Sequence, residues 1–257
     1  MKKIICLVYF ALFSIASLAQ NSGKLEFLGI PIDGSPKRFA TRLKNKGFTE
    51  YGILDGYYGQ FNGRAVDVYI HTNKNKVDRV YVSFPYESED DVRFSYNRLL
   101  SQFQASPKYV EATINPEIED EDDISYEIKT NKERFESSFC FFNPDRTPAE
   151  ISTQLYNTVT RLLPNDGDKR VCEVISYYLE LAKEERNEFY SMLLREIVKY
   201  VNVDDRERIY LIMESYFAAM KEIADGLVWF MIHADDDKYK IGLYYDNPHN
   251  QAHGEDL

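Results

Sequence analysis

Most of the short motifs that mark an enzyme are missing from this chain of 257 residues. It has no Gly-x-Gly-x-x-Gly turn for a dinucleotide, no Walker A loop for phosphates, no His-Glu-x-x-His pair for zinc and no Cys-x-x-Cys. The Gly-x-Ser-x-Gly elbow that presents a serine nucleophile is absent as well. No cofactor is therefore expected. No cluster of basic side chains offsets the balance of 31 Lys+Arg against 42 Asp+Glu, net −11. An acidic surface repels phosphates, which argues against a nucleic-acid partner. Past the N-terminal segment no apolar run approaches the 18 or so residues needed to cross a bilayer, and no internal repeat is visible. Cysteine is scarce too, with three in all.

What is present begins with a leader. Lys2 and Lys3 precede an apolar run from Ile4 to Ala16, interrupted only by Ser14, and Ser17-Leu18-Ala19 forms a small-x-small exit. This is the pattern of an export signal, so residues 1–19 are read as a signal peptide cut after Ala19 or Gln20. Its loss removes two lysines and no acids, leaving 29 basic against 42 acidic side chains, net −13. The expected location is periplasmic or secreted, with no membrane span in the mature chain. Cys6 lies early in the apolar run rather than at its exit, which argues against lipid attachment. Cys140 and Cys172 remain. An oxidising compartment permits a bridge between them. Their separate predicted elements and the phenylalanines around Cys140 favour two buried thiols, and spacing alone does not decide.

Residues 24–110 read as an α/β sheet unit. Leu25–Ile30 is a short apolar strand, Pro31–Gly34 a turn, and Ser35-Pro36 an N-cap with proline at the first helical position. A helix is predicted over 36–46, with Phe39, Ala40 and Leu43 on its buried face and Gly47 just past its end. The strongest local signal is Asn62-Gly63 between Tyr57–Phe61 and Arg64–Ile70, a hairpin whose turn needs positive φ. Val66, Val68 and Ile70 alternate with Asp67, Tyr69 and His71, so one sheet face is core. Val77–Tyr86 is the next strand, and Ser88 opens a helix to about 104 with the stripe Val92, Tyr96, Leu99, Leu100 and Phe103. Residues 111–146 hold an acidic loop, with six acids in the seven positions 117–123, and two strands, Ile124–Lys129 and Phe135–Phe142.

The character then changes. Residues 147–225 read as an all-helical insertion opened by the capping box Thr147-Pro148-Ala149-Glu150. Strands return in a C-terminal hairpin over 226–246, with a turn at Ala234–Asp237, which rejoins the first sheet. Residues 247–257 form a polar, flexible tail. The fold class is α+β, an antiparallel sheet packed on helices with the helical insertion before the C-terminal hairpin.

Phe27-Leu28-Gly29-Ile30-Pro31-Ile32-Asp33-Gly34-Ser35, followed by Phe39, Leu43 and Lys46-Gly47-Phe48, resembles the opening of secreted Bacteroidetes proteins of unknown function, and Ile241-Gly242-Leu243-Tyr244-Tyr245-Asp246-Asn247 resembles their ending. The resemblance spans about the first 85 mature residues and the last 20, and leaves out the helical insertion. It implies an envelope setting and an α+β domain similar to the beta-lactamase-inhibitor-protein-like group. Its shared positions are glycine, proline and apolar, so it implies turns and core and carries no catalytic residue.

Candidate chemistry is thin. His249 and His253 are four apart, but Pro248 and Gly254 bracket them in the tail, where no helix holds both imidazoles on a metal. The 117–123 run lacks the Asp-x-Asp-x-Asp-Gly spacing of a calcium loop and reads as a solvated loop. Asp235-Asp236-Asp237 reads as a turn, Ser35 beside Asp33 as a helix cap, and His71 and His233 as polar strand ends without a visible partner. No metal site is expected. The 20 tyrosines and 16 phenylalanines are the remaining anomaly. Tyrosine offers apolar area with a polar tip, which suits sugar or protein partners. Tyr57, Tyr58 and Tyr69 are the candidate binding residues, on one aromatic sheet face; Tyr244 and Tyr245 fall on opposite faces of their strand.

The leading expectation is an exported, non-enzymatic binding module with a protein or glycan partner in the envelope. The alternatives are a glycan- or peptide-acting hydrolase whose paired carboxylates the fold assembles, and a structural envelope protein that self-associates through the helical insertion.

Overall fold

Asn62 and Gly63 both adopt positive φ, 53° and 75°, and join Gly56–Phe61 (β4) to Arg64–Asn73 (β5) in the tight hairpin their sequence demands. The computed structural model describes residues 23–51, 56–113, 117–163 and 206–251. These fall into two compact units, one built from 21–143 and 224–257 and the other containing 144–223.

The first unit opens with two short paired strands, Glu26–Phe27 (β1) and Ile30–Pro31 (β2), and the helix Pro36–Asn45 (α1). Thr49–Glu50 (β3), β4, β5 and Lys76–Ser83 (β6) then form an antiparallel meander. The helix Glu89–Ala105 (α2) carries the chain to the far edge, where Tyr109–Glu111 (β7) starts a second meander through Glu136–Phe141 (β8), Gly226–Asp235 (β9) and Lys238–Asp246 (β10). β10 closes against β6, giving one eight-stranded sheet in the order β3-β4-β5-β6-β10-β9-β8-β7. The fold is thus α+β, and the C-terminal hairpin lies at the centre of the sheet.

The core lies on the helix-bearing face. Phe27, Ile30, Phe39 and Leu43 join Val92, Tyr96 and Leu100 of α2 over Val66, Val68, Val80, Val82, Phe139, Val228, Phe230, Ile241 and Leu243 of the strands, all nearly or fully buried. Ser88 caps α2 by accepting from the Asp91 N–H, and Glu89, Asp90 and Asp91 face the positive end of its dipole. In the second unit, Thr147 caps the helix Pro148–Leu162 (α4) in a reciprocal box with Glu150, and Arg161 pairs with Glu222 of the helix Arg206–Ile223 (α5).

Several expectations are corrected. Leu25–Ile30 is not one strand, because a turn at Leu28 and Gly29, both at positive φ, splits it. Phe27 and Ile30 lie three apart and would face opposite sides of a straight strand, and the turn lets the core bury both. Ile124–Lys129 is not a strand but a helical passage, Ile124–Tyr126 (α3) running into a π turn at Glu127–Asn131. Asp123 starts it by accepting from the Tyr126 N–H, and Ile124 and Ile128, four apart, turn inward. Ser35 occupies the N-cap of α1 yet makes no side-chain capping bond. The tail is not loose where it begins: Asn247 donates to the Ile32 carbonyl, and Asn250 is clasped between Asp33, Val77 and Asn73. Residues 1–19, Cys172, the helical stripes of 171–205, His253 and the end of the tail lie outside the described residues. Cys140 is fully buried in β8.

Candidate functional site

Alternation decides which side chains reach the sheet face turned away from α1 and α2. Val66 and Val68 of β5 point into the core, so Asp67, Tyr69 and His71 point the other way. By the same rule β6 presents Arg79 and Tyr81, β10 presents Tyr244 and Asp246, and β9 presents Trp229 and His233. Register then aligns them. Tyr69 pairs with Tyr81, Tyr81 with Tyr244, and Tyr244 with Trp229. Four rings from four adjacent strands stand in one row, with centroids 5.7, 4.7 and 3.9 Å apart and interplanar angles of 20°, 17° and 8°. All four are partly buried. They stack face on face along the row, so their edges point outward.

Two polar clamps hold the row. Asp246, only 4% exposed, accepts from both Nε and Nη2 of Arg79 and from Nε1 of Trp229 at 2.9 Å. A bidentate pair of this kind fixes the guanidinium plane as well as its charge. The Arg79 guanidinium lies 5.7 Å from the Trp229 ring centre and 5.6 Å from that of Tyr244, alongside the stacked pair. At the other side, His233 Nε2 lies 3.1 Å from the Tyr244 hydroxyl. Gly242 makes this contact possible: a Cβ there would stand 2.6 Å from His233 Nε2 and 3.1 Å from the Tyr244 ring.

The electrostatics follow from this packing. Burial, then the neighbouring Tyr81, pushes the Tyr244 phenol up to about 12. Burial, then the charges of Lys240 and Arg134, lowers His233 below its ordinary 6.5, which favours the neutral imidazole. At the β4 side of the sheet Tyr51 donates to Asp67, and that bond, with burial, raises its phenol to about 12. Arg134 is paired with Glu136 at 2.8 Å. Two cations of this face, Arg79 and Arg134, are thus paired with carboxylates.

Of the three tyrosines nominated from sequence, Tyr69 is in the row and Tyr58 shares its face, 47% exposed and paired across from Asp67. Tyr57 is not with them. It is 8% exposed, paired with Val68, and part of the core, because consecutive strand residues point to opposite faces. Tyr81, Tyr244 and Trp229 complete the row and were not nominated. The alternating Val80-Tyr81-Val82 and Leu243-Tyr244-Tyr245 carried their orientation, but the pairing of β10 with β6 that aligns them is not a local property.

The other candidate groups are engaged elsewhere. Asp33 accepts from Lys24, the Gly34 N–H and Asn250, a structural knot rather than a partner for Ser35. In the acidic loop Asp122 and Asp123 turn to backbone N–H groups of Glu119 and Tyr126. Asp236 sits at the β9–β10 turn with φ 53°, and Asp237 pairs with Lys129. His71 is exposed, and His249 Nε2 lies 3.5 Å from Asp225. Among the described residues no group of three or more His, Cys, Asp or Glu could hold a metal ion, and no helix is long and apolar enough to cross a membrane. Comparison with known proteins finds no matching family model, no matching curated protein and no matching solved structure.

Proposed function

We propose that this protein is an exported binding module of the bacterial envelope, and that it binds its partner on the aromatic row Tyr69, Tyr81, Tyr244 and Trp229. The leader-like N-terminus and the resemblance to secreted Bacteroidetes proteins support the setting. The row carries the reading of function. The outward face of an antiparallel sheet ordinarily alternates to polar side chains. Here four adjacent strands each place an aromatic ring at one level, and two clamps hold them. Rings already locked by stacking lose little rotamer freedom on binding, which is what a preformed site requires.

The test is capture. Mature protein is immobilised and exposed to an envelope extract and to a glycan array, beside a Tyr81→Thr, Tyr244→Thr double variant that still unfolds cooperatively. Retention of a protein or glycan by the wild type, with loss of at least tenfold in the variant, is expected. Capture that the variant keeps in full, or cleavage of a glycan or peptide by the wild type, overturns the reading.

A further inference from the structure

We infer that the row takes an uncharged, linear, β-linked oligosaccharide laid across the strands, about one sugar unit to each ring; this rests on the row being the binding face. Three features of the face select that chemistry. First, the rings spend their faces on one another, at interplanar angles of 8° to 20°, and offer edges instead. An aromatic edge carries the positive end of the ring quadrupole, and Tyr69, Tyr81 and Tyr244 add hydroxyls that donate and accept. Such a surface attracts oxygen-rich ligands rather than apolar ones.

Second, the face offers a ligand little open charge. Arg79 is paired with Asp246 and Arg134 with Glu136, which leaves the Lys240 ammonium, 4.9 Å over the Tyr86 ring, and the Asp67 carboxylate beside Tyr51 as single groups of opposite sign. A chain with 31 basic against 42 acidic residues also repels polyanions at a distance. Charge complementarity thus favours an oxygen-rich ligand without charge. Third, ring centres recur at 3.9 to 5.7 Å, comparable with the advance per unit of an extended β-linked glycan. An extended peptide advances only about 3.3 Å per residue, so it falls out of step with the row.

Isothermal titration of the mature protein with cellohexaose, laminarihexaose, xylohexaose and hexagalacturonate tests this, with Trp229 emission as a second readout, since it is the single tryptophan of the chain. At least one neutral hexasaccharide should bind saturably and change the emission. Its affinity should rise from disaccharide to tetrasaccharide and then level off, and hexagalacturonate should bind at least tenfold more weakly. Tyr81→Phe, which keeps the ring and removes one hydroxyl, should weaken binding three- to tenfold at an unchanged unfolding midpoint, whereas Tyr126→Phe should not. Absence of binding by all three neutral sugars, or equal binding of hexagalacturonate, overturns the inference. If the sugars fail while the double threonine variant still loses a captured envelope protein, only the ligand class falls; if that capture is also unaffected, the binding face falls with it.

Discussion

At Gly242 a missing methyl group sets the chemistry of a whole surface. The hydrogen at this position leaves His233 room to lie across β10 and reach the Tyr244 hydroxyl. Gly242→Ala should therefore displace the imidazole, at a cost of about 1–3 kcal/mol, typical of overpacking in a closely packed site. Urea unfolding reads the loss, and a shift of Trp229 emission reads the disturbed stack; an unchanged midpoint together with unchanged emission would show that the contact is incidental. His233 itself makes a pH prediction. Its folded pKa lies below the 6.5 expected of the unfolded chain, so the unfolded state binds the proton more readily. Stability from this group is fully present above pH 6.5 and declines as pH falls below it. His233→Gln should flatten that part of the stability profile and leave the region above pH 7 unaltered, apart from a constant offset. A variant as acid-sensitive as the wild type between pH 6.5 and 5 would place the sensitivity elsewhere.

Among the elements, the C-terminal turn shows how far a short polar segment can contribute. Asn250 donates to Asp33 at 2.9 Å and to the Val77 carbonyl at 2.8 Å, and its own carbonyl accepts from Asn73. Asn250→Ala should cost about 1–2 kcal/mol, because it strips a bond from a partly buried carboxylate and from a strand-end carbonyl. The carboxyl of Asp33 is held down at about 2 chiefly by Lys24, with Asn250 and the Gly34 N–H helping against burial. That stability is present above pH 3.8 and fades toward pH 2, so the variant's acid-side slope there should be shallower; a carbon-13 titration of Asp33 that does not move upward would refute the coupling. The composition of this segment reads as a frayed tail, since only tertiary partners distinguish a clasp from a tail. Elements with local causes were legible: the Asn62-Gly63 hairpin, the capping box at Thr147, the stripe of α2. Elements whose form depends on distant burial were not. The Leu28-Gly29 turn exists because the core takes both Phe27 and Ile30, and the Ile124–Tyr126 helix because Ile124 and Ile128 share a wall. The candidate site follows the same division. Local alternation implied that Tyr69, Tyr81 and Tyr244 leave the core, and it also separates Tyr57 from Tyr58, which the grouping of the two on one face overlooked. The alignment of three distant segments into one stack is set by β6 pairing with β10, which no window of the sequence contains.

Considered as one molecule, the chain is a sheet interrupted at a single hairpin. β8 and β9 are antiparallel neighbours with Phe141 opposite Gly226, the arrangement of strands joined by a tight turn, yet residues 144–223 stand between them. The two sides of the break are stitched together within the sheet unit: the Asp225 N–H donates to the Phe141 carbonyl at 2.9 Å, and the Asn143 N–H donates to the Asp225 carboxylate at 2.9 Å. Loop length is a weak lever on stability, about 0.6 kcal/mol for each doubling, so a hairpin can tolerate a long insertion provided its ends are held together. The same argument runs in reverse. If Asn143 and Ala224 are joined through a two-residue Asn-Gly turn, the shortened chain should still unfold cooperatively, retain the emission of Trp229 and bind on the aromatic row as the full chain does. Failure to unfold cooperatively would mean that the sheet's stability depends on the inserted segment. Loss of binding alone, from a sheet that still folds, would assign part of the partner's contacts to residues 144–223.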